Sequence, residues 1–220
     1  MGNEIYKYID ILIGRYPSLV VCKDSIQEAY HILSKAYSEG HKLLVCGNGG
    51  SASDSEHIVG ELMKEFKLKR KIYKDQVEAM KRIDPELGTI LAEHLQGALP
   101  AITLTGHSSL TTAFMNDSQP ELIFAQQVNG YGKQNDVFLG ISTSGNSRNV
   151  LFAAVTAKAK RLHVIGLTGQ RPCKLAQLAD VCIQVPETET YKIQELHLPV
   201  YHCLCMMLEE HFFGNNKEII

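Results

Sequence analysis

The chain lacks a strong charge of either sign: 22 Lys and Arg stand against 24 Asp and Glu, a net charge of −2 over 220 residues. That balance gives no electrostatic reason to expect nucleic acid or an anionic membrane as a partner. No apolar run reaches the roughly 18 residues that a membrane span requires. The N-terminus, Met1-Gly2-Asn3-Glu4-Ile5, carries an early acid and no signal-like apolar core. Gly2 invites N-myristoylation, but Tyr6 occupies the place of the required Ser or Thr. The six cysteines (Cys22, Cys46, Cys173, Cys182, Cys203, Cys205) include no close metal pair and no disulfide framework. Several lie in apolar runs, where cysteine is a small core residue. There is no repeat of solenoid length, no low-complexity tract and no linker. These absences lead to the expectation of one cytoplasmic, reduced domain over 1–220, with enough apolar sequence to bury a core.

What is present is a regular alternation. Residues 3–40 read as helices: Ile5, Ile9, Leu12 and Ile13 share one face, Pro17 interrupts, and Asp24 or Ser25 caps a second helix that Gly40 ends. Five apolar runs read as strands, at Leu43–Cys46, Ala101–Leu104, Asp136–Ile141, Leu162–Leu167 and Val181–Val185. Helical patterns lie between them, and a last one runs from Thr190 to about Phe213. Strands alternating with helices at this spacing imply a parallel sheet covered on both sides. Ligands on such sheets bind beyond the carboxyl ends of the strands, near a switch in strand order.

The first strand ends in Gly47-Asn48-Gly49-Gly50-Ser51-Ala52-Ser53, which opens into a helix expected to reach about Phe66. The glycines let a ligand approach the main chain, and Ser51 and Ser53 offer helix caps beside free N–H groups. Such a turn favours an anion. It is no Walker loop, because no Gly-Lys-Ser/Thr closes it, and its glycine spacing misses the dinucleotide fingerprint. A small phosphorylated metabolite is the better fit; the alternative is a tight turn with no ligand. His57 and Glu61, four residues apart, share a face of the helix.

The third strand leads at once into Ser142-Thr143-Ser144-Gly145-Asn146-Ser147. Four hydroxyls and an amide before a helix can supply the several short hydrogen bonds a phosphate dianion needs. A plain helix cap would use only one of them. The last helix carries Gln194, Glu195, His197 and His202, with Pro199 expected to kink it and to aim His202 towards the sheet edge. Residues 67–99 stand apart: Lys67, Lys69, Arg70, Lys71 and Lys74 form a basic cluster, and Pro85 starts a helix reaching about Gln96. This stretch reads as a solvated helical excursion, or as a lid or subunit contact carrying cations towards an anionic ligand.

Taken together, Gly-Asn-Gly-Gly-Ser leading to His57 and Glu61, then Ser-Thr-Ser-Gly-Asn-Ser, then Ile193-Gln194-Glu195 and His202, resemble the sugar isomerase (SIS) domain. The likeness covers about residues 20–212 and is nearest to the phosphoheptose isomerase group. It implies a three-layer α/β/α sandwich with a five-stranded parallel, flavodoxin-like sheet, and a homotetramer with active sites between subunits. It implies that Asn48, Gly49, Gly50, Ser51, Asn116, Asp117 and Gln194 line the sugar site. Ser142, Thr143, Ser144 and Ser147 would hold the phosphate. His57, Glu61, Gln194 and His202 match zinc-binding positions, and Glu61 with His202 matches the acid/base pair. The sequence departs from the family pattern in the longer segment 67–99, at Tyr191 and Lys192, and at Pro199.

Those residue types suit aldose–ketose isomerisation, which moves a proton between C1 and C2 through an enediol(ate) and needs a base, an acid and oxyanion stabilisation. The implied reaction converts sedoheptulose 7-phosphate to D-glycero-D-manno-heptose 7-phosphate or a close relative. One alternative is a non-catalytic SIS protein that binds a phosphosugar or a protein partner, such as a replication-initiation regulator. Another is an SIS enzyme acting on an amino-sugar or pentose phosphate; such enzymes often carry extra domains.

Overall fold

A computed structural model describes residues 2–214. Met1 and residues 215–220, the two ends of the expected 1–220 domain, lie outside the described residues. The elements run α1 (Gly2–Arg15), a 3-10 turn (Pro17–Cys22), α2 (Lys23–Ser38), β1 (Leu43–Cys46), α3 (Gly50–Met63), α4 (Lys74–Ile83) and α5 (Pro85–His94). Then come β2 (Ala101–Thr103), α6 (Ser108–Asp117), a 3-10 turn (Pro120–Leu122), α7 (Ile123–Tyr131), β3 (Val137–Ile141) and α8 (Arg148–Ala159). The described residues close with β4 (His163–Gly169), α9 (Lys174–Leu178), β5 (Val181–Val185) and α10 (Thr190–Phe213).

The five strands form one parallel sheet in the order β2-β1-β3-β4-β5. β1 lies between β2 and β3, with Leu43 opposite both Ala101 and Val137. The order therefore reverses at β1, and the loops leaving β1 and β3 emerge side by side from the switch point. Alternate strand residues feed two cores. Leu43, Val45, Leu139 and Leu167 pack with α1, α2 and α10 on one face. Leu44, Cys46, Phe138 and Val164 pack with α7, α8 and α9 on the other. The sandwich expected from the alternation is thus the fold. The α10 bounds match the periodicity, and the helix continues through Pro199 as one element. No described helix is long and apolar enough to cross a membrane.

Several local expectations are corrected. α2 starts at Lys23 without a side-chain cap, and Ser25 instead donates back to the Cys22 carbonyl at 2.9 Å. Gly40 follows α2 with φ +79°, the left-handed stop its position predicted. α3 ends at Met63 rather than near Phe66, because the carbonyls of Glu61 and Leu62 are taken by the Arg70 guanidinium. Neither Ser51 nor Ser53 caps α3: Gly49 takes that position with φ +56°, and Ser51 is buried in the first turn. Ser108–Asp117 forms a helix of its own, α6, ahead of the second 3-10 turn.

The excursion holds two helices, not one. α4 buries no residue and α5 buries only Gly88, where a Cβ would strike the Met80–Lys81 backbone. Asp84 caps α5 by accepting from the Leu87 N–H at 2.9 Å, ahead of Pro85. Ile83, Leu87 and Ile90 are exposed. Arg70 does not belong to a solvated cluster at all: its side chain is fully buried, beside Glu209.

Candidate active site

α3 and α10 bring the titratable groups together. Asp54, His57 and Glu61 fall at i, i+3 and i+7 on one face of α3, and that face meets Tyr201 and His202 of α10. Tyr201 donates its hydroxyl to Asp54 Oδ1 at 3.2 Å, and the tyrosine oxygen lies 3.0 Å from His57 Nδ1. His57 Nε2 lies 3.1 Å from Glu61 Oε1. A chain of polar contacts thus runs Asp54–Tyr201–His57–Glu61. The His202 ring stands edge-on to His57 at 5.0 Å between centroids, flanked by Phe66 at 5.3 Å.

This arrangement leaves specific atoms free. Glu61 Oε2 and His202 Nε2 are buried and make no hydrogen bond among the described residues. Lys64 Nζ lies 3.6 Å from Glu61 Oε2, a looser ion pair at the rim. Burial, reinforced by the nearby His57, lowers the His202 pKa, and Glu61 opposes this only in part. Burial raises the Asp54 pKa, against the Tyr201 hydrogen bond and His57. A carboxylate with one anchored and one unbonded oxygen, next to an imidazole kept neutral, can exchange protons with a bound substrate.

The first loop opens directly into α3, the helix that carries Asp54, His57 and Glu61. Gln194, near the start of α10, packs on Gly50 so closely that a Cβ there would fall 2.6 Å from Gln194 Nε2. Asn48 and Asn149 exchange amide hydrogen bonds at 2.9 and 2.8 Å, tying the first loop to the start of α8. Within the second loop, Gly145 has φ +63° and donates to the Ser142 carbonyl at 3.0 Å. Ser142 Oγ lies 3.0 Å from Ser147 Oγ, and Ser144 Oγ accepts from the Asn146 N–H at 3.2 Å. Thr143 and Ser144 line a cleft of about 220 Å³ together with Arg171 and Thr190. This is a hydroxyl-rich cradle at the N-terminus of α8, suited to a phosphate.

The structure brings His57, Glu61 and His202 together between α3 and α10, and it sets Gln194 against Gly50 of the first loop, which also holds Asn48, Gly49 and Ser51. It sets Ser142, Thr143, Ser144 and Ser147 in the neighbouring loop. Asn116 and Asp117 are different: they lie exposed at the end of α6, where Asn116 Nδ2 donates to Asp117 Oδ1 at 2.8 Å. No hydrogen bond among the described residues links them to the cluster. Reading the sequence missed Asp54, Tyr201 and Asn149. Asp54 carried the only available signal, lying three residues before His57.

The fit to a zinc ion rests on the same atoms. The unbonded Glu61 Oε2 and His202 Nε2 are zinc-type donors, as are His57 and, weakly, Gln194. No three His, Cys, Asp or Glu side chains among the described residues are yet gathered as a ligand group. The donor chemistry fits the metal.

Comparison with known proteins follows the same lines. A family model described as SIS domain matches residues 19–83 and 78–169. The phosphoheptose isomerase of Aneurinibacillus thermoaerophilus is 34% identical over 98% of this chain and 97% of its own length. A phosphoheptose isomerase 2 from Campylobacter jejuni is 39% identical over 91% of this chain and 92% of its own. The solved phosphoheptose isomerase of Neisseria gonorrhoeae superposes with a TM-score of 0.71 at 29% identity, covering 95% of this chain and 98% of that one.

Proposed function

The chain belongs to the SIS-domain family, among the phosphoheptose isomerases, and from that premise we propose how its residues carry the reaction. It is an aldose–ketose isomerase acting on a phosphorylated heptose. The substrate in our reading is sedoheptulose 7-phosphate or a close relative, with D-glycero-D-manno-heptose 7-phosphate as product. The observation that supports the reading is the meeting of Glu61 and His202, from distant parts of the chain, on either side of His57, each with an unbonded buried atom.

Ser142, Thr143, Ser144 and Ser147 grip the phosphate and so fix the far end of the sugar. Asn48, Gly49, Gly50, Ser51 and Gln194 bind the hydroxyls near the reacting carbons. Glu61 removes the proton from one of C1 and C2 and returns it to the other. His202 passes the hydroxyl proton between O1 and O2, a task suited to an imidazole whose burial keeps it neutral. The Tyr201–Asp54 pair orients His57, which in turn anchors Glu61 Oε1. A zinc ion held by His57, Glu61, Gln194 and His202 would polarise the substrate carbonyl as a Lewis acid.

Assembly into a homo-oligomer, a tetramer with sites between subunits, is part of the same reading. It is supported by the apolar side chains that α4 and α5 leave exposed. A non-catalytic SIS role is disfavoured, because such a protein has no need of the Glu61–His202 pair. The test is turnover by the purified protein of a panel of ketose phosphates, with and without zinc. Isomerisation of the heptulose phosphate above the shorter sugars supports the reading; binding of all of them with no turnover contradicts it.

A further inference from the structure

We propose that the buried pair Arg70–Glu209 is a positioning device that sets the distance between Glu61 on α3 and His202 on α10. The proposal rests on the acid/base reading given above. Arg70 and Glu209 side chains are 0% and 1% exposed, and Arg70 Nε donates to Glu209 Oε1 at 2.8 Å. The two terminal nitrogens of the guanidinium donate to the carbonyls of Leu62 at 2.7 Å and Glu61 at 2.8 Å. Carbonyls in the last turn of a helix have no helical partner. Arg70 supplies one, at the residue that bears the catalytic carboxylate.

Glu209 reaches the other half of the site. It stands seven residues after His202 on α10, two turns along the same face. Its carboxylate also accepts the N–H groups of Phe66 at 2.8 Å, Lys67 at 2.8 Å and Leu68 at 3.2 Å. It thereby holds the chain leaving α3, including Phe66, whose ring flanks His202. The backbone of Arg70 adds a further tie, since its carbonyl accepts from the Gly97 N–H at 2.9 Å where the helical excursion returns.

A buried ion pair is by itself weak evidence for stability, and apolar side chains of equal volume often replace one without loss. No apolar pair could hold two carbonyls, three amides and two helices in one register. The planar fork of arginine suits this and the single ammonium of lysine does not. Arg70 and Glu209 are therefore positioning residues, acting through Glu61 and His202.

The test is Arg70→Lys in the full-length protein, compared with Glu61→Gln. Lysine keeps the charge opposite Glu209 but cannot reach both carbonyls and the carboxylate. A folded Arg70→Lys variant is expected to keep KM within about twofold while kcat falls about 10- to 100-fold, the size of a misplacement of roughly 1 Å. Should this variant not fold, Glu209→Gln, which keeps the volume and one accepting oxygen, is expected to show the same split. Unchanged kcat in the folded variant, or kcat and KM falling together, overturns the proposal. If Glu61→Gln is inactive while Arg70→Lys is fully active, only the positioning role fails. If Glu61→Gln remains active, the acid/base reading fails first.

Discussion

Asn48 and Asn149 form a reciprocal amide pair, each donating Nδ2 to the other's Oδ1, at 2.9 and 2.8 Å. One sits in the turn after β1 and the other in the first turn of α8, so the pair ties the two loops of the switch point together. Replacement of Asn149 by Ala is expected to raise KM about tenfold, equivalent to the loss of about 1.4 kcal/mol of binding. Stability should change by no more than about 1.5 kcal/mol, since the pair is exposed. Steady-state kinetics decide this, and an unaltered KM removes Asn149 from the site.

Gly145 is held at φ +63°, and a Cβ there would collide with Cys173 Sγ. The Gly145→Ala variant is expected to lose about 1–3 kcal/mol through backbone strain, with overpacking added. It should also weaken inorganic phosphate binding at least tenfold by calorimetry. Adding Cys173→Ala removes the collision but leaves the strain, so it should restore part of the stability. Full stability in the single variant would show that the loop is free to rearrange.

His197 is buried within α10, and burial drives its pKa down to about 4, with the Thr168 backbone opposing. The unfolded histidine titrates near 6.5, so between about pH 6.5 and pH 4 the unfolded state binds the extra proton. Stability from this site is full above pH 6.5 and is lost as pH falls towards 4. The limit is about 3 kcal/mol, since each tenfold difference in proton affinity between the folded and unfolded chain is worth about 1.4 kcal/mol. Urea denaturation from pH 7 to pH 4.5 should show a smaller acid loss in His197→Leu than in the unaltered chain. An equal loss in both would acquit His197.

Metal binding has its own readout. Chelator-treated protein is expected to take up about one zinc ion per chain by calorimetry and to release protons as the ligands shed them. His202→Gln should weaken that uptake at least tenfold, and unchanged affinity in this variant would remove His202 from the ligand set.

Much of this architecture is legible in the residues because it is local. The strands announce themselves as short apolar runs, Gly40 stops α2, and α10 has the limits its periodicity implies. His57 and Glu61 are legible because a helix after a glycine turn places i and i+4 side by side. α6 escaped notice because it buries nothing and so has no apolar period. Arg70 was hidden among lysines, and the partner that buries it lies 139 residues further along the chain. Tyr201 is 2% exposed and reads as a core aromatic, yet its hydroxyl joins Asp54 to His57. Composition shows polar residues, but only the fold shows which of them lose their water.

The most direct test of the acid/base account follows one proton. In deuterated water, proton NMR reports the exchange of the heptulose phosphate C1 hydrogen with solvent in the presence of enzyme. The unaltered protein is expected to catalyse this exchange, and Glu61→Gln is expected to bind the same sugar phosphate without exchanging it, at a rate reduced by at least 100-fold. Exchange at the unaltered rate in Glu61→Gln would mean that another group moves the proton, and the assignment of Glu61 as base would be wrong.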